Sequence, residues 1–127
     1  GGVLEEYAAS LDPVYRALVS SYSFVDLAHK VVGVGSVGTR CWIVLMRGRD
    51  DDDPLFLQVK QAEESVLARH LGGDTTDNQG QRVVTGQRIM QAAGDAFLGW
   101  HRTVGIDLHG AQFRASLCFL CLCWMQE

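Results

Sequence analysis

The chain has 127 residues, of which 47% are hydrophobic and 20% charged, with two prolines; this fits one globular domain and excludes disordered, collagen-like and multi-domain chains. Eleven basic residues against fifteen acidic ones leave a formal charge of −4, the wrong sign for work on phosphate backbones, so no nucleic acid partner is expected. The longest apolar stretch, Leu117 to Met125, falls well short of the roughly 20 residues that cross a bilayer, so no membrane span is expected.

The chain opens Gly1-Gly2-Val3 with no initiating Met and no targeting pattern, which predicts a cytoplasmic piece of a longer protein. Leu4, Tyr7, Ala8 and Leu11, then Val14, Leu18 and Tyr22, recur at helical spacing, with a break at Asp12-Pro13. One or two short helices are expected over residues 1–24. The pattern then turns to β. A strand over Leu27 to Val32 and another over Thr39 to Met46, rich in aromatic and β-branched residues, form a hairpin joined at a glycine cluster. Gly48 to Pro54 contains four consecutive aspartates. These read either as a solvated turn or as a Mg²⁺ or Ca²⁺ site; the spacing lacks the alternation and the glycine of a calcium loop.

A third strand, Leu55 to Lys60, places Leu55, Leu57 and Val59 on one face and Phe56, Gln58 and Lys60 on the other. A short helix over Glu63 to Leu71 and a polar loop over Asp74 to Gly80 follow. Val83, Gly86, Met90, Ala93, Phe97 and Trp100 step by three and four, predicting one long helix with a core-facing stripe and Asp95 as its only acid. Gln112 to Trp124 is apolar enough for one or two buried strands. The element order predicts an α+β fold with an antiparallel β-sheet and flanking helices.

Cysteines are uneven, with Cys41 alone in the first half and Cys118, Cys121 and Cys123 in the tail. Small buried thiols and a metal knuckle completed by His109 are both open readings, though apolar residues separate the thiols where a knuckle turns through Gly or polar residues.

Gly33-Val34-Gly35-Ser36-Val37-Gly38 is a G-x-G-x-x-G loop whose bare backbone can donate N–H bonds to phosphate oxygens. A dinucleotide-binding turn must open a helix, yet Cys41-Trp42-Ile43-Val44 reads as strand. A glycine loop between antiparallel strands is the protein-kinase arrangement, which also demands a lysine on the third strand to neutralise nucleotide phosphates. Lys60 closes Leu57-Gln58-Val59-Lys60, 27 positions after Gly33, and fits the V-A-I-K form. The alternative is a flexible hairpin with Lys60 as a solvated strand end. A kinase also pairs that lysine with an acid on the following helix, for which Asp95 is the candidate.

The run Lys30 to Trp42 resembles the signature of a bacterial family catalogued as domain of unknown function 2252, as do Pro54 to Lys60, Gln81 to Ala93 and Asp95 to Trp100. The resemblance covers about residues 25–100 and implies a kinase-like lobe similar to that of small-molecule phosphotransferases. It implies ATP as cofactor, with Gly33, Gly35, Ser36 and Gly38 over the phosphates and Lys60 paired to them. Arg40 stands where protein kinases place Val two positions after the last glycine, so Cys41 or Ile43 is expected to floor the adenine. No H-x-D loop or Asp-containing metal motif is present, so Mg²⁺ and the catalytic base are expected from parts outside this chain. Residues 101–127 depart from the family's expected continuation, and a frameshift or premature stop is the expected origin of the Cys-rich tail. A lobe without its C-lobe exposes a docking face, so self-association is expected.

Overall fold

In the computed structural model of the protein the structure describes residues 2–30, 40–63, 65, 70, 77–92, 94–102 and the strand backbone of 112–117. The break at Asp12-Pro13 separates two helices, α1 (Val3–Ala9) and α2 (Pro13–Ser20). Pro13 sits in the first turn, where its missing N–H costs nothing, and the Asp12 carboxylate accepts the Val14 N–H at 3.1 Å. Arg16 reaches back from α2 and donates to the carbonyls of Ala8 at 3.2 Å and Ala9 at 2.9 Å. One side chain thus ties α2 to the last carbonyls of α1, of which that of Ala8 also accepts the Leu11 N–H at 3.1 Å.

Among the described residues five strands follow: β1 (Ser23–His29), β2 (Cys41–Arg47), β3 (Pro54–Ala62), β4 (Gly99–Arg102) and β5 (Gln112–Leu117). They form one sheet in the order β1-β2-β3-β5-β4, and every pairing is antiparallel. The fold is α+β, as expected. The first strand begins at Ser23, four residues earlier than the apolar run suggests, because pairing with β2 extends from His29↔Trp42 back to Ser23↔Arg47 across a bulge at Val25.

Period-two alternation gives the sheet two different faces. Val44, Met46, Leu55 and Leu57 meet Tyr7, Ala8, Leu11 and Val19 of the helical pair to form the main core. Each Val, Leu and Met side chain among them contributes roughly 1.5–3 kcal/mol by leaving water. The helical segment of residues 1–24 therefore shares its core with the sheet.

The predicted long helix over 83–100 is a correction. Helix α3 spans Gln79–Met90 and ends there. It starts earlier because Asn78 caps it, accepting the Gln81 N–H at 3.1 Å, so Gln79 and Gly80 are helical rather than loop. It stops because the Asp95 carboxylate takes the Phe97 N–H at 2.8 Å and the Asp95 carbonyl takes the Leu98 N–H at 3.0 Å, forming a turn that feeds β4. Phe97 and Trp100 thus belong to a turn and a strand. Val84 is fully buried while Ile89 and Met90 are 79% and 86% exposed, so the buried stripe runs through Gly80 and Val84 instead of through Met90. The predicted helix over 63–71 lies largely outside the described residues.

Candidate functional site

The third strand carries the candidate lysine as expected. Lys60 lies opposite Cys41 on β2, with Gln58 opposite Ile43 and Phe56 opposite Leu45. These six residues share the face turned away from α1 and α2, since their neighbours Val44, Leu55 and Leu57 fill the helix-covered core. Cys41 is 1% exposed, and its Sγ accepts a hydrogen bond from Gln58 Nε2 at 3.2 Å. Lys60 is half-buried. Among the described residues no carboxylate pairs with it; the ion pair found there is Arg47 with Asp51 at the turn. Both residues proposed as an adenine floor, Cys41 and Ile43, stand on the Lys60 face.

Across β5 the register continues the row: Lys60 is the partner of Arg114, which is the partner of Trp100 on β4. Helix α3 closes this end of the same face. Arg88 of α3 lies 5.6 Å from the centre of the Trp100 ring and donates to the Leu98 carbonyl at 2.7 Å. Arg102 of β4 donates to the carbonyl of Asp77, just ahead of the helix. Helix α3 therefore flanks the lysine row, anchored by one cation on an aromatic face and one on a backbone carbonyl.

Asp95, expected on this helix as the partner of Lys60, is not on it. It sits in the turn before β4, where it holds the Phe97 and Leu98 amides. Its charge is felt by Tyr7, in the core of the opposite face, and the Tyr7 hydroxyl donates to the Phe97 carbonyl. Burial, then Asp95, pushes the Tyr7 phenol above its ordinary pKa. Residues 79–90 contain no Asp or Glu, so α3 offers Lys60 no carboxylate.

Gly33, Gly35, Ser36 and Gly38 lie outside the described residues, as do Cys118, Cys121, Cys123 and His109. Among the described residues no group of His, Cys, Asp and Glu is arranged to hold a metal ion. The aspartate run forms a turn: Asp53 accepts from the Tyr22 hydroxyl at 2.9 Å and the Arg49 N–H at 3.3 Å, Asp50 accepts the Asp52 N–H, and Asp51 meets Arg47. Among the described residues no helix is long and apolar enough to cross a membrane.

Residues 2–117 match the model of a family described as an uncharacterized protein conserved in bacteria, DUF2252. The chain belongs to this family. No match is found among curated proteins or among solved structures. The DUF2252 match is wider than the resemblance over residues 25–100. It takes in α1 and α2 at one end and β5 at the other, so the helices that fill the main core and the strand that joins β3 to β4 are family elements. Residues 118–127 fall outside it.

Two further features escaped sequence reasoning. His101 of β4 is 7% exposed, on the face toward α1, and burial lowers its pKa against a smaller opposing pull from the Arg102 backbone and Glu6. The Arg88 and Trp100 pair had no local signal, because its members lie on a helix and a strand that the sequence pattern merges into one helix.

Proposed function

We propose that this DUF2252 chain is the ATP-binding lobe of a kinase-like phosphotransferase, working in the cytoplasm. The observation that carries the reading is the placement of Lys60. It stands on the third antiparallel strand with no carboxylate partner among the described residues, directly beside the strand that follows the glycine loop in sequence, on the face that α3 flanks. A lysine in that position reaches phosphates held under a glycine-loop hairpin, and a helix following the lysine strand is the second element of that arrangement. Ile43, Leu45 and Phe56, each partly exposed, give the same face an apolar floor against which a base can stack, with Cys41 buried beneath it and Gln58 adding one amide.

The chemistry of these donors fits a nucleotide polyphosphate. Lys60 supplies the cation, Gly33, Gly35, Ser36 and Gly38 supply backbone N–H groups, and the apolar floor excludes water from them. ATP brings the transferable phosphoryl group. Carboxylates for Mg²⁺ and a base for the acceptor hydroxyl are supplied by a C-lobe outside this sequence, which contains no H-x-D or D-F-G element. Asp95 retains a role in this reading as the residue that sets the turn after α3.

Isothermal calorimetry with Mg-ATP on the chain and on Lys60→Ala tests the proposal. A binding heat that falls at least about tenfold in affinity on loss of the lysine is the expected result, since a charge-assisted contact is worth roughly 1.5–3 kcal/mol. Equal heats from both proteins, or none from either, would remove the role given to Lys60.

A further inference from the structure

Among the described residues β1 forms one outer edge of the sheet. β1 is the terminal strand, all seven of its residues are exposed, and Phe24 and Leu27 are each more than half exposed. The direction of its backbone groups is fixed by its pairing. The Lys30 N–H donates to the Cys41 carbonyl at 2.8 Å, so Ala28 and Lys30 turn their peptide groups toward β2 while Leu27 and His29 turn theirs outward. The Leu27 N–H confirms this, because it meets the carboxylate of its own neighbour Asp26 at 2.8 Å instead of a β2 carbonyl.

Outward groups at Leu27 and His29 allow one short two-fold antiparallel register. Leu27 of one copy exchanges both hydrogen bonds with His29 of the second, and the reverse, while Ala28 faces Ala28 across the axis. That register brings Asp26 opposite Lys30 of the second copy, twice. Asp26 and Lys30 lie on the same face of the strand as Ala28, so the opposed charges meet directly. The small side chain at the axis permits close approach, and the bulge at Val25 ends the segment at five residues.

We propose that the chain self-associates through Asp26 to His29 of β1 and the adjoining Lys30, joining the five described strands of each copy into one continuous sheet across a two-fold axis. The Asp26 carboxylate leaves the Leu27 N–H for Lys30 of the second copy, and that N–H passes to the His29 carbonyl of the second copy. In the single chain the same carboxylate guards the edge; in the pair it sets the register. The proposal is independent of the nucleotide reading, since it involves neither Lys60 nor the glycine loop.

Sedimentation velocity over a concentration series of the full chain tests it. Wild type is expected to shift from monomer to dimer. Asp26→Lys alone and Lys30→Asp alone each turn two attractive pairs into two repulsive ones and are expected to raise the dimer Kd about tenfold or more. The double variant D26K/K30D restores opposite charges at unchanged net charge and is expected to associate like wild type. Leu27→Pro removes an outward N–H, whose partner in the single chain is the exposed Asp26 carboxylate, leaves the β2 ladder in place and is expected to give a monomer with a wild-type circular dichroism spectrum. A wild type that stays monomeric, single reversals that associate like wild type, or a double variant no better than the singles would overturn the proposal. Lys60→Ala is expected to dimerise normally, which separates failure of this interface from failure of the nucleotide site.

Discussion

Gly99 opens β4 at a point where α1 comes so close that no side chain fits. A Cβ at that position would stand 2.5 Å from Ser10 Oγ, 2.7 Å from Tyr7 Cε2 and 3.0 Å from Leu11 Cδ2. Ser10 cannot simply rotate away, because its hydroxyl accepts the Trp100 N–H at 2.9 Å and donates to the Tyr7 carbonyl at 2.6 Å. Gly99→Ala therefore forces α1 off the sheet edge, an overpacking cost of about 1–3 kcal/mol. Losing the Ser10 contact to Trp100 adds about 1 kcal/mol. The reduced backbone freedom of alanine in the unfolded chain returns roughly 0.5–1 kcal/mol. The net expectation is a loss of about 2 kcal/mol, read in urea denaturation as a midpoint lowered by about 1 M. The double variant Ser10→Ala with Gly99→Ala removes the closest of the three atoms, so it should be less destabilised than the sum of its singles. A Gly99→Ala protein as stable as wild type, or more stable, would show that α1 does not seat against β4 as described.

His101 gives a pH dependence whose sign follows from its lowered pKa. The folded chain keeps the imidazole neutral while the unfolded chain protonates it near pH 6.5, so its contribution is present above that pH and is lost as the pH falls through the depressed folded value. Chemical denaturation at pH 7.5, 6.5 and 5.5 should show a decline that His101→Gln flattens; an identical decline in that variant would refute the assignment. Arg88→Met keeps the aliphatic stem but loses the carbonyl of Leu98 and the Trp100 face, and is expected to lower stability by about 1–2 kcal/mol in the same assay, with Arg88→Lys recovering only part. Asp53→Ala strips the β2–β3 turn of its contacts to Tyr22 and Arg49 and should cost about 1 kcal/mol. Thermal melting of that variant checks it, and an unchanged midpoint would show that the turn holds itself.

Local signals in the sequence determined the helix break, the β2 and β3 strands, the aspartate turn and the facing of Lys60. Each rests on neighbours in the chain: Asp12-Pro13 is a start signal wherever it occurs, and alternation from Leu55 to Lys60 sets the two faces of a strand before any partner is known. The family resemblance was likewise legible, because it is carried by contiguous runs. Only the tertiary structure decided where α3 ends. Apolar spacing from Val83 to Trp100 continues at helical period through Phe97, yet the chain turns at Asp95 because the Tyr7 hydroxyl binds the Phe97 carbonyl, the Ser10 hydroxyl binds the Trp100 amide and β5 offers β4 a ladder. Those partners lie about 90 positions away in the chain or on a strand still to come, and no local period reports them. The same distance removes Asp95 from Lys60 and brings in its place a row that the sequence never assembled, Cys41, Lys60, Arg114 and Trp100, aligned across four strands because hydrogen-bonded register, unlike periodicity, is a property of the sheet.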